Sequence, residues 1–408
     1  MKVGILSLGC PRNTVDSEKL LYIYRKRRLK ITPPEKADIL IINTCGFIKA
    51  AKAESLEAIQ DALELKKKGR LSKVIVAGCL VQRYYKVLSN ELKDIDALIG
   101  VIDSNNPHHI LTTPGHLSYI KISEGCSNLC SYCAIPLIRG RLRSKPVDSI
   151  LEEVRFLNRA GIKELNITAQ DITAWGKDKY NKKDIVWLLK KIIKQAKNIK
   201  WIRLLYTNPR FITKDLIDLI ANEPKICNYI DVPVQHINKR ILKLMNRKTT
   251  PAQIKKTLDL LIKKIPDAAL RTSIIAGFPT ETEKEFKELL NFIKEYKFRN
   301  LGAFIYSKEE DTPAFKLHQL PEKTKQARLD AIMKTQQKIS LNLNKKLVGK
   351  EFDVIIDRTG QKHSTGRAYF QAYDIDSEII INKRLKPGKF YKVIITDAFE
   401  YDLTGKTV

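Results

Sequence analysis

The chain has 408 residues, enough for two or three domains, and 43% of them are hydrophobic. This composition supplies packed cores and excludes a globally disordered protein. No apolar run approaches the roughly 18 residues that a membrane-spanning helix needs. The apolar stretch before Cys10 is too short for a secretory signal, so we expect a cytoplasmic protein without membrane contact.

Net charge is the largest deviation in the composition. Lysine and arginine number 74 against 45 aspartate and glutamate residues, which gives a formal charge of +29. A surplus of this size favours a polyanionic partner such as nucleic acid or a ribosomal particle. A lysine-rich composition without any anionic partner is the alternative, and composition leaves both open.

The first hundred residues alternate between strand and helix patterns. Short apolar runs predict strands over 3–8, 39–43, 74–77 and 97–101, and helical spacing predicts helices over 15–28, 51–68 and 82–92. Strands and helices that alternate at this rhythm indicate a parallel sheet covered by helices.

A segment rich in asparagine, proline and glycine over 103–115 predicts a linker, after which the alternation resumes. The next predicted strands, separated by helical segments, are 119–122, 164–168, 201–205, 229–232, 270–276 and 301–306. Six such units predict a partial (β/α)6 barrel that is open on one side. The overall fold class is therefore α/β.

The pattern changes after a predicted long helix over 321–344. Short strands with turns between them are predicted over 351–357, 364–372, 378–381 and 389–396. They indicate a small all-β barrel, a type of domain that often contacts nucleic acid or protein.

Seven cysteines, an odd number, do not indicate a disulfide framework in a chain of this size. Three of them, Cys126, Cys130 and Cys133, form a C-x3-C-x2-C motif after a predicted strand. Three thiolates at this spacing suit one face of a cubane iron–sulfur cluster and leave one iron free to bind a substrate or cofactor. A structural zinc site is the alternative, but it requires four ligands and no histidine lies nearby.

Three further cysteines occupy equivalent positions in the first predicted sheet. Cys10, Cys45 and Cys79 each follow a predicted strand and have a neighbouring glycine. The carboxyl ends of parallel strands meet at one edge of a sheet, so we expect the three thiols to converge there. This arrangement predicts a second cluster with three protein ligands. The alternative is that they are three small buried side chains.

With two such cysteine trios, the sequence resembles the radical S-adenosylmethionine (SAM) methylthiotransferases, whose superfamily motif has an aromatic residue, here Tyr132, before the last cysteine. The resemblance covers the whole chain. It implies an N-terminal methylthiotransferase domain over 1–105, a radical SAM partial barrel over 112–340 and a C-terminal TRAM barrel over 341–408.

Local motifs resemble the RimO group in particular, which modifies a ribosomal protein. They are Ser7-Leu-Gly-Cys-Pro-Arg-Asn13, Asn43-Thr-Cys-Gly-Phe-Ile48, Glu124-Gly-Cys126, Ala134-Ile-Pro136, Arg139-Gly-Arg141, Ala169-Gln-Asp171, Gln235-His236 and Tyr306-Ser-Lys-Glu-Glu310. The chain departs from the group at Arg12, where lysine is commoner, and at Gln371-Ala-Tyr-Asp374 in the last domain.

The resemblance implies two 4Fe–4S clusters and SAM as cofactors. In such enzymes one cluster cleaves SAM to a deoxyadenosyl radical, and the other holds the sulfur that is inserted. A second SAM supplies the methyl group. The substrate implied is the β-carbon of an aspartate in small-subunit ribosomal protein number twelve, free or in the ribosome, with an electron donor such as flavodoxin or ferredoxin and possible RNA contact.

The resemblance and the strand pattern also indicate contacts to SAM. We expect Tyr132 beside the adenine, Gln170 at the mouth of the barrel, and Arg271 paired with the SAM carboxylate. The basic run 139–145 either anchors the substrate or is a solvated loop, and we favour the loop.

Two other functions remain open on the sequence alone. A related transferase would methylthiolate an adenosine in tRNA, and the positive charge suits that substrate equally well. A non-enzymatic RNA-binding protein with structural clusters would contain the same cysteines and would not turn over SAM.

Overall fold

The structure, a computed structural model, describes all residues 1–408. A five-stranded parallel sheet in the order β2-β1-β3-β4-β5 forms the N-terminal region. Its strands are β1 Lys2–Ser7, β2 Lys30–Ile31, β3 Ile39–Thr44, β4 Lys73–Gly78 and β5 Ala97–Ile99. Its helices are α1 Pro11–Lys26, α2 Lys49–Lys67 and α3 Cys79–Glu91. The apolar run of β3 is buried along its whole length, as a central parallel strand requires.

Six parallel strands in the order β13-β12-β11-β10-β9-β6 form the partial barrel. The strands of this region are β6 Leu117–Lys121, β7 Ser123–Glu124, β8 Arg143–Ser144, β9 Glu164–Thr168, β10 Trp201–Leu204, β11 Ile226–Asp231, β12 Ala269–Ala276 and β13 Asn300–Ile305. The predicted α/β fold class and the open barrel are confirmed. The two outer strands, β6 and β13, do not pair with each other, so the barrel stays open between them.

Helices connect the barrel strands and cover their outer face. They are α4 Ile135–Arg139, α5 Val147–Arg159, α6 Ile185–Gln195, α7 Lys214–Asn222, α8 Lys239–Leu244, α9 Pro251–Lys264, α10 Glu283–Tyr296 and α11 Glu322–Lys345. Helices α9 and α10 begin with full capping boxes at Thr250 and Thr282, which fix their start points. None of the helices is both long and apolar enough to cross a membrane.

A closed five-stranded barrel ends the chain, which confirms the predicted small β-barrel. Its strands are β14 Glu351–Thr359, β15 Ser364–Arg367, β16 Ile379–Ile381, β17 Phe390–Ala398 and β18 Leu403–Thr407. Strand β18 was not predicted, because Gly405 indicates a turn in the sequence. In the structure a Cβ at this position would lie 2.5 Å from Val393 Cγ1, so glycine permits close strand packing there.

Buried ion pairs join the C-terminal barrel to the larger one. Arg367 of β15 donates to Asp357 of its own barrel at 2.6 Å and to Glu164 of β9 at 2.7 Å. Arg203 of β10 donates to the other oxygen of Glu164 at 2.9 Å. Because Arg367 is 1% exposed and Glu164 is 0% exposed, neither charge has water as a substitute partner.

We expect Arg367→Met to lower the free energy of unfolding by about 3–5 kcal/mol, because it leaves buried carboxylates short of a partner. Urea unfolding measures this loss. The matched control is Arg358→Met on β14, whose side chain is 57% exposed and pairs loosely with Asp374 at 3.6 Å. The control should cost about 1 kcal/mol or less. Equal losses in the two variants would contradict the role of Arg367.

Candidate functional site

Three turns at one edge of the N-terminal sheet carry the first cysteine trio. Cys10 lies between β1 and α1, Cys45 directly follows β3, and Cys79 is the first residue of α3 after β4. Parallel neighbouring strands end at the same edge, so the three cysteines lie together at that edge. Cys10 and Cys79 lie close enough to Cys45 to contribute to its raised pKa, and Cys10 contributes likewise to that of Cys79.

Two glycines allow these turns to approach each other. A Cβ on Gly9, which has a φ of +96°, would lie 3.0 Å from Cys45 Cβ. A Cβ on Gly46 would lie 2.8 Å from Leu80 Cα. A side chain at either position would push the turns apart, and glycine is the residue that avoids this.

Two arginines donate to sulfur atoms of the first trio. Arg12 Nε lies 3.3 Å from Cys10 Sγ, and Arg139 Nη2 lies 3.1 Å from Cys79 Sγ. Burial acts to raise the pKa of Cys10, but the charge and hydrogen bond of Arg12, together with the charge of Arg139 and the backbone N–H of Asn13, lower that pKa. Burial raises the pKa of Cys45 to about 11 and also raises the pKa of Cys79.

A cavity of about 800 Å³ opens in front of Cys10 and Cys45. Tyr206 and Arg271 of the barrel line it, and Tyr373 of the C-terminal barrel closes one side. All three regions of the chain therefore build this cavity, which is large enough for a side chain of another macromolecule.

The second trio lies on the loop between β7 and α4. Strands β7 and β8 pair across the base of this loop. Gly125 has a φ of +70° and lies directly against the backbone of Arg141. A Cβ on Gly125 would lie 2.1 Å from Arg141 O, so glycine is needed here. Cys126 N donates to Gly140 O at 3.0 Å, and Cys133 N donates to Cys130 O at 3.1 Å. These contacts hold the three cysteines in one compact turn.

Polar side chains of the barrel anchor the same loop. Asn128 Nδ2 donates to Asp171 Oδ2 at 2.7 Å, and Asn208 Nδ2 donates to that oxygen at 3.1 Å. Asn246 Nδ2 donates to Leu129 O at 2.7 Å. Asp171 and Asn208 follow β9 and β10, so the loop is tied to the carboxyl ends of the barrel strands.

A cavity of about 370 Å³ is lined by all three cysteines of the second trio and by Tyr132 and Gln170. Gln170 Nε2 donates to Glu124 at 2.8 Å, whereas the buried Gln170 Oε1 has no hydrogen-bond partner. A buried acceptor of this kind requires a donor from a ligand or water. Burial raises the pKa of Cys126 to about 11 and that of Cys133 to about 12.

The two cavities lie side by side. They share four wall residues, Phe47, Ile48, Tyr206 and Phe304. Arg12 lines the second cavity while it donates to Cys10 beside the first, and its guanidinium lies 4.6 Å from the ring centroid of Tyr206. The two cavities are therefore direct neighbours, separated by shared side chains.

The thiol chemistry of both trios fits iron–sulfur clusters. No three histidine, cysteine or carboxylate side chains converge on a position for a single metal ion. In a cubane each thiolate binds a different iron, so its thiols stand further apart than around one ion. The unpartnered Gln170 Oε1 provides an acceptor for a ligand next to the second trio.

The three predicted SAM contacts do not lie on the same cavity. Tyr132 and Gln170 line the cavity of the second trio. Arg271 does not; it lines the other cavity and pairs with Asp231 at 2.9 Å. Cys227, the seventh cysteine, is buried in an apolar core and lies on neither cavity.

The interpretation of the run 139–145 as a solvated loop is wrong for Arg139. Arg141 and Arg143 are exposed, but Arg139 is 4% exposed and contacts a site cysteine. Tyr206 and Gln235 on the second cavity were also not predicted. Their positions just after barrel strands were the available signal, since such ends form the sites of parallel sheets.

Comparison with family models agrees with this architecture. The uncharacterized protein family UPF0004 matches residues 2–100, the radical SAM superfamily matches 120–293, and the TRAM domain matches 348–408. These ranges lie inside the predicted domains 1–105, 112–340 and 341–408, whose boundaries stay predictions. The partial barrel, its three-cysteine loop and the superfamily match define a radical SAM enzyme.

Relatives that align over the full length of the chain identify its family within this superfamily. Ribosomal protein uS12 methylthiotransferase RimO of Carboxydothermus hydrogenoformans is 45% identical, and the alignment covers 100% of each chain. RimO of Caldicellulosiruptor saccharolyticus is 42% identical, again over 100% of both chains. RimO of Clostridioides difficile is 43% identical over 99% of this chain and 98% of its own. The chain belongs to the RimO family of ribosomal protein uS12 methylthiotransferases, which confirms the resemblance seen in the sequence motifs.

Solved structures show the same fold at much lower sequence identity. The radical SAM methyltransferase TsrM from Kitasatospora setae, solved with cobalamin and a [4Fe-4S] cluster, is 12% identical with a TM-score of 0.54, covering 89% of this chain and 80% of that one. The cobalamin-dependent SAM radical enzyme OxsB has a TM-score of 0.50 at 12% identity, covering 83% of this chain and 56% of that one. At this identity the likeness shows the fold alone.

Proposed function

We propose that the protein is a SAM-dependent transferase that methylthiolates ribosomal protein uS12 by radical chemistry. The observation that carries this function is the pair of adjacent cavities, each lined by cysteines of one trio. Family membership over the whole chain favours uS12 over tRNA as the substrate. The finer proposal is that the modified atom is the β-carbon of an aspartate.

Cys126, Cys130 and Cys133 would hold the 4Fe–4S cluster that binds SAM. When bound, these two cofactors supply a reducing electron and a hydrogen-abstracting radical. The chain positions them through the loop contacts of Asn128 and Asn246. Gln170 Oε1 would accept a hydrogen bond from SAM, and Tyr132 would form part of the wall around it.

Cys10, Cys45 and Cys79 would hold a second 4Fe–4S cluster that carries the inserted sulfur. This proposal is supported by three cysteines at the same edge of the sheet and by two arginines that donate to the sulfur atoms of Cys10 and Cys79. The substrate side chain enters the 800 Å³ cavity in front of Cys10. The prediction that Arg271 pairs with the SAM carboxylate is weakened by its position on this cavity, away from the second trio.

The remaining partners follow from the substrate. A ribosomal protein is modified in the cytoplasm, where an electron donor such as flavodoxin or ferredoxin is available. The C-terminal barrel, which contributes Tyr373 to the substrate cavity, is suited to contact uS12 or nearby RNA. The charge of +29 would attract the protein to a ribosomal particle.

A deletion strain tests the substrate. Mass spectrometry of uS12 from the strain should lack the methylthio mass increment, and a plasmid copy of the gene should restore it. Nucleoside digests of tRNA from the same cells should be unchanged. Loss of a methylthio group from tRNA with intact uS12 would contradict the proposal and favour the tRNA function.

Gln170→Ala should weaken SAM binding about tenfold, because it removes one hydrogen bond from a buried site. Iron content should stay at the wild-type value, since Gln170 binds no sulfur atom. Equilibrium dialysis with labelled SAM measures the affinity. Gln337→Ala, an exposed change on α11, is the matched control and should bind SAM normally. Unchanged affinity in Gln170→Ala would remove this residue from the site.

A further inference from the structure

The N-terminal sheet supplies the three cysteines of the first trio, but one side chain that contacts them comes from the barrel. A residue of the barrel, Arg139 at the end of α4, reaches across and places Nη2 3.1 Å from Cys79 Sγ. These two residues are 60 positions apart in the chain. The contact therefore exists only when the N-terminal region and the barrel are docked.

The guanidinium of Arg139 is held in place from several directions. Nη2 also donates to Asn13 Oδ1 at 2.9 Å, and Nη1 donates to Asp16 Oδ2 at 3.1 Å. Nη1 donates to both oxygens of Glu124 at 3.0 Å. Lys121 pairs with the same two carboxylates, so two cations and two anions balance in this buried cluster.

The same network reaches the second cysteine trio. Glu124 directly precedes Gly125 and Cys126, and it accepts a hydrogen bond from Gln170 at 2.8 Å. Asn13 extends the network in the other direction, because its side chain donates to Leu8 O and Thr44 O in the turns that carry Cys10 and Cys45. Through Glu124 and Asn13, Arg139 is thus connected to the loops of both cysteine trios.

We propose that Arg139 is a positioning residue of the barrel that completes the cluster site of the N-terminal domain and raises the reduction potential of the cluster bound there. This inference rests on the proposed second cluster. A positive donor to a ligating sulfur stabilises the more negative, reduced state, and hydrogen bonds to cysteine sulfurs are a known determinant of cluster potentials. Residues that bind a metal ligand from outside also fix its orientation.

Lysine would not replace Arg139. The planar fork of a guanidinium serves the sulfur, the Asn13 amide oxygen and two carboxylates at once, whereas an ammonium group is a single point charge with three donors. The proposed role therefore requires arginine at position 139.

The test uses the full chain with Cys126, Cys130 and Cys133 changed to alanine, so that only the cluster of the first trio remains. In this background, Arg139→Gln should lower the reduction potential measured by electron paramagnetic resonance during a redox titration, or lose iron while the fold is retained. The matched control, Arg141→Gln, removes the same charge from an exposed position of the same segment and should leave the potential unchanged.

A second variant covers the case that Arg139→Gln does not fold. The double change Asp16→Asn with Arg139→Gln removes one anion and one cation, so Lys121 and Glu124 remain as a balanced pair. Circular dichroism should show a folded protein, and the potential should again be lower than in Arg141→Gln. A folded double variant with the iron content and potential of the control would overturn the proposal. If the background itself binds no iron, the second cluster of the proposed function is wrong, and the role of Arg139 falls with it.

Discussion

Changing Cys10, Cys45 and Cys79 together to alanine should leave SAM cleavage intact and stop methylthiolation of uS12. Cys10 and Cys45 line the cavity proposed to receive the substrate, while the cavity of Cys126, Cys130 and Cys133 keeps its own lining. We expect product formation to fall by at least about 1,000-fold, more than the 10–100-fold typical of residues that only support a metal ligand. Mass spectrometry of uS12 measures product, and release of 5′-deoxyadenosine measures cleavage.

The matched control for this variant is Cys227→Ala. It removes a buried thiol that lies in an apolar core and lines neither cavity. It should retain both reactions. If the triple variant still made methylthiolated uS12, the first trio would not hold the cluster that carries the inserted sulfur.

Changing Cys126, Cys130 and Cys133 to alanine should abolish both SAM cleavage and product formation. The side chains on this loop are the only thiols that line the cavity with the unpartnered Gln170 oxygen. The expected loss is again at least about 1,000-fold, beyond the range of an outer contact. Release of 5′-deoxyadenosine by the reduced, iron-reconstituted protein is the measurement.

The fold of this variant has to be shown separately. The cysteine loop is held by backbone contacts such as Cys126 N to Gly140 O and by Asn128, none of which depends on a thiol. The circular dichroism spectrum should therefore match the wild type. SAM cleavage that survives in a folded triple variant would contradict the assignment of this loop.

Much of the architecture could be predicted because it depends on local patterns. Strand β9 was predicted at its observed residues, Glu164–Thr168, and the six-stranded open barrel follows from repeated strand–helix units. The positions of Cys10, Cys45 and Cys79 follow from the same logic. Each is preceded by an apolar run, and parallel strands of this kind end at a common edge.

Contacts between distant parts of the chain could not be predicted. Arg139 looks like the exposed arginines beside it in the sequence, and its burial depends on Asp16 and Glu124 being brought to it by two different regions. Arg271 was assigned to SAM from the family resemblance and from its strand. The structure pairs it with Asp231 because β11 and β12 are in register at these two residues.

The composition of the substrate cavity was also beyond sequence patterns. Tyr373 reaches it from the C-terminal barrel, which is fixed to the larger barrel by Arg367 and Glu164. A local motif carries no information about such docking, because the buried ion pair joins residues 203 positions apart.

Iron and acid-labile sulfide content tests the central claim most directly. Anaerobically reconstituted wild-type protein should contain about eight of each per chain if, as proposed, each trio holds a cubane of four irons. Each triple-alanine variant should keep about four of each. Wild-type protein with only four irons, or either variant stripped of all iron while folded, would contradict two independent clusters.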